Sequence, residues 1–438
     1  MSSAASSTAA APRPLPASGT TGARGLVVWG VAAVVLLGLP FVFSSGASLT
    51  MMSLMGFAII FALSFNMLLG QTGMLSFGHA VYYGLGGFIT AHALNVIGAG
   101  KWAVPLPLLP LVGGLAGLTF AIIFGWVSTR RAGTAFAMIS LGIGELVAAS
   151  SLILRGFFGG EGGISANRTA TLKIFGLNFG PQIQVYYLIA AWCLLCIAAM
   201  YAFTRTPLGR MCNAVRENPE RAEFVGYSTR MVRFIAFCTS GFFAGVAGGL
   251  AAIHYEIVTA SMVGAAPSGF VLLMAYIGGI GFFIGPIVGA ILMTALQISL
   301  SDYTGAWQLY VGLMFVVVVM YVPGGLAGLL LMHRPLLRRQ AWVRLAPAYA
   351  LVALPIALLA IGLVAVIETG HHLLVKASDG PAMKLLGVGY QANSLLAWIV
   401  IAALVGAGWL ALRFTWPAVS RAWQEALALA RGDAGAAR

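Results

Sequence analysis

Charge is scarce in this sequence: 8% of its 438 residues are Asp, Glu, Lys or Arg, while 60% are hydrophobic. Soluble domains carry about a quarter charged residues and about half apolar ones. Both a soluble globular protein and a disordered chain are therefore excluded. Cysteine is rare too, and four residues, Cys193, Cys196, Cys212 and Cys238, exclude a disulfide scaffold. Cys193 and Cys196 have metal-like spacing but lie inside an apolar run with no second pair, which reads as core packing. No G-x-x-x-x-G-K-[ST] occurs: GAGKW at 98–102 lacks the first Gly and the final Ser or Thr, so a P-loop is excluded. His371 and His372 have no clear metal partners, and no nucleophile–base constellation stands out. The expectation is a non-catalytic chain without cofactor or metal.

What the chain does contain is apolar runs long enough for the bilayer. A helix needs about 20 such residues to cross a hydrocarbon core of about 30 Å. Candidate spans fall at 25–43, 47–69, 73–97, 103–128, 133–154, 185–203, 234–258, 270–280, 282–300, 307–322, 345–367 and 395–412. The two runs around Gly281 read either as two crossings or as a broken or re-entrant element. The fold class is an all-α polytopic membrane protein of about ten spans with an appended C-terminal pair.

The 24 basic residues outnumber the 11 acidic ones and sit mostly between the runs, which reads as topology rather than nucleic-acid binding. Arg13 and Arg24 place the head inside. Counting crossings, Arg130 and Arg131, then Arg205 to Arg233, then Arg334 to Arg344, then Arg413 to Arg438 all fall on that same side. This agreement favours two crossings around Gly281 and puts both termini in the cytoplasm. Residues 1–24, rich in Ala, Ser, Pro and Gly, read as a disordered head. The first run, preceded by a basic residue, is open to a cleaved signal peptide, but it is longer than a typical signal core and reads as an uncleaved anchor. An outer loop at 155–184 carries the flexible glycine run FFGGEGGIS, a second lies at 368–394, and the tail 416–430 reads as an amphipathic surface helix.

Four segments are candidates for function. The inner loop PLGRMCNAVRENPERAEFVGYS contains a helix N-cap at Asn218, Pro219 in the first turn, Glu220 at the positive dipole end and Gly226 as a stop. With Arg216, Glu217 and the apolar Ala222, Phe224 and Val225 it reads as a helix–turn–helix docking surface, Glu217 and Arg221 being spaced for an i,i+4 pair. The alternative is a solvated connector. In GQTGMLSFGHAVYYGLGGFIT, which carries Gln71, the residues Ser76, His79, Tyr83 and Thr90 fall on one face if the segment is helical from Gly73. That face lines a pathway or makes interhelical hydrogen bonds. Glu145 lies near the middle of an apolar run, where a charged carboxylate costs about 2.5–3.5 kcal/mol. It reads as a pathway, gating or proton site, or as a structural acid partnered by His79, His254 or backbone near Gly142 and Gly144. Finally, Gly278, Gly279, Gly281, Gly285 and Pro286 must break or turn the helix.

Together GQTGMLSFGHAVYYGLGGF, GGEGGIS, GRMCNAVRENPERAEFVGYS, GGIGFFIGPIVGA and MYVPGGLAGLL, in this order, resemble the permease subunits of bacterial ABC importers for branched-chain amino acids, the LivM type. The resemblance covers about residues 46–335, making 25–335 the permease domain, with 204–233 as its coupling loop, and 336–438 an extension. It implies a multi-pass inner-membrane subunit paired with a second, LivH-like permease, two cytoplasmic ABC ATPase subunits and a periplasmic binding protein. The helix at 218–226 would be the coupling helix. Permeases for urea, amides or aromatic acids share the pattern. The residues alone also leave open a proton-coupled secondary transporter using Glu145 and a structural subunit.

Overall fold

Backbone polar groups in hydrocarbon must be satisfied within the protein, and helices do this segment by segment. The computed structural model describes residues 23–171, 178–322, 324–338, 342–376, 378, 380–385 and 387–435. Its helices are α1 (Ala23–Val42), α2 (Gly46–Thr72), α3 (Ala80–Gly98), α4 (Leu109–Ser128), α5 (Thr134–Ile153), α6 (Arg155–Phe158), α7 (Gln182–Arg205), α8 (Pro207–Glu217), α9 (Pro219–Phe224), α10 (Thr229–Tyr255), α11 (Ala265–Gly278), α12 (Gly285–Tyr303), α13 (Trp307–Tyr321), α14 (Gly325–Arg338), α15 (Trp342–Val375) and α16 (Leu395–Gly435). Among the described residues nine helical segments are long and apolar enough to cross a bilayer, and α13 with α14 pass as a pair bent by 50°. The strands are two short antiparallel pairs, β1 (Ile164–Ser165) with β2 (Ile257–Val258) and β3 (Ala382–Leu385) with β4 (Val388–Gln391). The chain is an all-α polytopic membrane protein. The expected disordered head lies outside the described residues except for Ala23 and Arg24, which open α1.

Contacts divide the chain into two compact units, residues 1–294 and 295–438. In the first, α2, α3 and α10 are the most buried spans, and α4 packs across α10 and α3. Small residues let these backbones approach closely. A Cβ on Gly117 of α4 would lie 2.8 Å from the Gly245 Cα of α10, and one on Gly86 of α3 would lie 2.6 Å from that same atom. α5 is a peripheral span with only a third of its apolar window buried. At one end of the bundle Arg130, after α4, and Arg230, at the start of α10, both stack on Trp126, at 5.6 and 4.8 Å. The basic residues flanking these helices thus share one level, hereafter the basic side.

In the second unit α15 and α16 pack along each other, with the missing side chain of Gly408 leaving room for the Leu359 backbone. The Tyr310 hydroxyl donates to Glu368 Oε1 at 2.8 Å. Two expectations change here. The segment 368–394 is not all loop, because α15 continues to Val375 and the β3–β4 hairpin follows. The separate surface helix expected at 416–430 is instead a continuation of the 41-residue α16. Pro417 removes one ladder bond, but the Ala, Leu, Arg and Glu around it are strong helix formers.

Candidate functional site

The first departure from regular structure is the connection between α2 and α3. α2 closes on Gly73, whose φ of 70° is left-handed, with the Met74 N–H returning to Leu68 O at 3.2 Å. α3 begins only at Ala80, so the helix expected from Gly73 is absent over residues 73–79. The cause is tertiary: Ser140 Oγ of α5 accepts the Phe77 N–H, and Ser268 Oγ of α11 accepts the Ala80 N–H, each at 3.0 Å. Ser76 and His79 therefore do not share a helical face with Tyr83 and Thr90. Gly78 rests against Gly144 in the middle of α5, which places this non-helical stretch at mid-depth.

Its polar residues point into the protein. His79, Ser76, Gln71 and Tyr83 are all buried. The His79 ring stacks on Phe61 at 5.5 Å and meets the edge of Phe65. Ser64 Oγ gives its proton to Phe61 O at 2.7 Å, so His79 must donate to Ser64 through Nε2, 2.9 Å away. That leaves His79 Nδ1 as an acceptor without a partner among the described residues. Asn66 Oδ1, Gln71 Oε1 and Ser76 Oγ are likewise buried and unmatched.

Glu145 does not join this group. It lies on the open face of α5, and neither expected histidine reaches it: His79 is taken by Ser64, and His254 faces Gln182 at 3.3 Å. The backbone of α5 around Gly142 and Gly144 remains helical and offers it no freed donor.

On the basic side α8 and α9 form a compact hairpin. Thr206 caps α8 by accepting from Gly209 N–H at 3.2 Å, and Asn218 caps α9 by accepting from Arg221 N–H at 2.9 Å. Gly226, at φ 92°, ends it. Cys212, Val215 and Ala222 face inward against Val232 and Ala236 of α10. Ala222 is therefore part of the hairpin's own core, not of its outer surface. Glu217 and Arg221 stand on opposite sides of the Asn218 break and do not pair. What the hairpin turns outward is Phe224 and Val225, 91% and 69% exposed, two of the three apolar residues on which the docking reading rests. Arg216 turns the other way and donates from Nη1 to Gly70 O at the end of α2. Burial pushes the Cys212 thiol up to about 12, so its reactive thiolate is absent at neutral pH. With Cys193, Cys196 and Cys238 also buried, maleimide at pH 7.5 is expected to label the folded protein at none of its cysteines and the denatured protein at all of them. Rapid labelling before denaturation, read by intact mass, would contradict this packing.

The opposite side holds a feature the sequence did not reveal. The glycine run expected to be flexible is fixed: β1 pairs with β2, Asn95 Nδ2 donates to Ser165 O at 2.9 Å, and Ala166 N–H donates to Glu256 O at 2.8 Å. Arg168 centres the clasp. Its side chain donates to the carbonyls of Phe179 and Gly180 and faces Glu256 at 3.8 Å. Glu256 adopts a left-handed φ of 56° at the end of α10, and its Oε1 accepts the Arg168 N–H at 2.9 Å. The partners lie far apart in sequence, and only the Arg and Glu themselves, charged residues beside apolar runs, gave a signal.

The glycine cluster forms a turn. α11 ends at Gly278 and α12 starts at Gly285, with Gly279 at φ 109° between them. A Cβ on Gly289 would lie 2.9 Å from the Gly278 Cα, so the two helices double back on one another. The Ile280 carbonyl of this turn lies 2.7 Å from where Gly70 would carry a Cβ. Gly70 is thus touched from one side by Arg216 and from the other by the turn.

Comparison with known proteins fits this architecture. Residues 47–322 match the family described as branched-chain amino acid transport system, permease component. The chain is 30% identical over 324 residues to the high-affinity branched-chain amino acid transport system permease protein LivM of Escherichia coli K12, covering 68% of this chain and 73% of that protein. It is 29% identical to LivM of Salmonella typhimurium, over 70% of this chain and 75% of the relative. Similarity also extends to the probable permease protein LivH of Methanocaldococcus jannaschii, at 26% identity over 46% of this chain and 64% of that one. No solved structure matches.

Proposed function

Because the chain belongs to the family of branched-chain amino acid transport permease components, we propose that it is one permease subunit of an ATP-driven importer for leucine, isoleucine and valine. It would pair with a second, LivH-like permease, rest on two cytoplasmic ATPase chains and receive its substrate from a periplasmic binding protein. The basic side is then cytoplasmic, as are both termini, and the membrane is the bacterial inner membrane. Residues 25–335 would form the permease proper and 336–438 an appended extension. Urea, amides and aromatic acids are the alternative cargoes.

The observation that supports the ATPase dock best is the hairpin of α8 and α9. A solvated connector has no need of two capped helices, an internal core and an aromatic tip. Phe224 and Val225 would enter the groove of the ATPase, with Glu217, Pro219 and Glu220 around them. Gln71, Ser76, His79 and Tyr83 would line the pathway after α2 and α3 separate. The unmatched hydrogen-bonding atoms of Gln71, Ser76 and His79 support this role, since these buried groups are incompletely served within the described residues. The turn at Gly278, Gly279, Gly281, Gly285 and Pro286 would let α11 and α12 shift.

A mild-detergent pull-down from native membranes tests the reading. A P-loop ATPase and a second permease should accompany the chain. Phe224→Asp should insert normally yet lose the ATPase and abolish uptake. A lone chain, reproducible after cross-linking, or undiminished uptake by Phe224→Asp would defeat it. Uptake that survives ATP depletion while a proton gradient persists would point to a secondary transporter instead.

A further inference from the structure

We propose that Glu145 receives the ammonium group of the amino acid in transit, on a face of α5 that forms one wall of a water-filled pathway. This rests on the amino-acid permease reading above.

α5 turns Phe136, Ser140, Gly144, Val147 and Ser151 toward the bundle. It leaves Met138, Gly142, Glu145, Ala149 and Leu152 uncovered, a stripe repeating at alternating steps of four and three. Eleven residues into the helix, Glu145 sits about 17 Å from its start, close to the centre of a hydrocarbon core about 30 Å thick. Among the described residues no hydrogen bond or ion pair reaches it, and the one ion pair present joins Arg168 to Glu256. α5 itself carries no Lys or Arg. A carboxylate at this depth does not face lipid tails; it faces water or a cation. The described residues supply it no cation, and we take the cation to come from outside the chain.

The surroundings favour a small ligand. Gly142, one turn before Glu145, has no atom within 4 Å of its open side. Gly144, the residue before Glu145, abuts the non-helical segment, with the Gly78 Cα 3.3 Å and the Phe77 carbonyl oxygen 4.0 Å from its Cβ position. Non-helical backbone at membrane depth belongs where protein covers it or an aqueous cavity meets it. Residues 75 and 77 of that stretch are only half-buried and Gly73 is exposed. The Glu145 carboxylate presents acceptors and no donors. The complementary group is a compact cation with several N–H donors, and a zwitterionic amino acid carries one as its ammonium.

The test uses the whole importer in proteoliposomes with its ATPases and binding protein. Glu145→Gln should cut leucine uptake about tenfold or more, the scale of one lost charge-assisted hydrogen bond, while Glu145→Asp retains most of it. Subunit co-purification and ATP hydrolysis should persist in both. Glu145→Cys should react with an impermeant cationic methanethiosulfonate, and turnover with leucine should slow that reaction. Attaching a carboxyethyl group to this cysteine should restore uptake, and attaching an aminoethyl group should not. Normal uptake by Glu145→Gln overturns the proposal. So does a Glu145→Cys thiol that reacts only with lipid-permeant reagents, which marks a lipid face, or one that is silent and cross-links to the second permease, which marks a subunit interface. If the wild-type chain brings no ATPase with it, the permease reading fails separately.

Discussion

Replacing Gly248 with alanine should unfold the centre of the permease, although alanine favours a helix over glycine by about 1 kcal/mol. A Cβ at Gly248 of α10 would fall on the Tyr83 carbonyl of α3, 2.7 Å from the carbonyl carbon and 3.0 Å from the Gly87 nitrogen. These are backbone atoms of a buried helix and cannot rotate aside. Overpacking of side chains costs about 1–3 kcal/mol, and here two backbones must separate. That gap would spread along α3 and α10 and loosen the pocket that His79 shares with Ser64. The expected result is a large loss of detergent-stable monodisperse protein for Gly248→Ala and none recoverable for Gly248→Leu. Gly269→Ala in α11, where nothing lies within 4 Å, should be neutral or stabilising. Equal melting temperatures for Gly248→Ala and Gly269→Ala would refute the close-packed account of α3 and α10.

The same glycines show why the spans were legible. Apolar length and glycine density report on lipid and on close helix approach, which are local demands on the sequence. Caps are local too, so Asn218, Pro219 and Gly226 mark out α9 by residue type alone. The stretch 73–79 was misread because nothing within it forbids a helix. Its non-helical path is imposed by Ser140 and Ser268, which lie 63 and 188 residues from the Phe77 and Ala80 amides they accept. The Arg168 clasp was hidden for the same reason, its Glu256 partner lying 88 residues on. Glu145 was found as an anomaly of composition, but its supposed histidine partners were inferred from type alone. Which way an α5 side chain faces depends on where Gly144 packs, and that contact is with Gly78 on another element. In the sequence, Ala222, Phe224 and Val225 read together as apolar docking residues, because a six-residue helix has too little period to separate an inner face from an outer one.

Removing the Arg216 side chain is expected to separate ATP hydrolysis from uptake. The residue lies in the last turn of α8, close before the Asn218 cap of α9, and so moves with the hairpin. Its guanidinium donates to Gly70 O, a carbonyl at the negative end of α2, and its stem crosses Gly73, the Cγ 3.0 Å from where a Cβ would sit. On the far side of Gly70 lies the Ile280 carbonyl of the α11–α12 turn. One peptide thus meets the α8–α9 hairpin, the end of a central span and the glycine turn. A hydrogen bond to a charged group contributes about 1.5–3 kcal/mol, the size of coupling free energies that change affinities by roughly 5–150-fold. Arg216→Ala should therefore lower uptake by about tenfold or more while the ATPase still co-purifies and still hydrolyses ATP. Arg216→Lys, which keeps the charge but not the fork geometry, should recover part of the loss. Gly70→Ala should reproduce the uncoupling from the other side, because its Cβ would press on the Ile280 carbonyl and on Asn66. If Arg216→Ala loses the ATPase together with uptake, Arg216 is simply part of the dock. If it transports normally, the contact with α2 carries no signal, and motion of the hairpin must reach the bundle through the Cys212, Val215 and Val232 core instead.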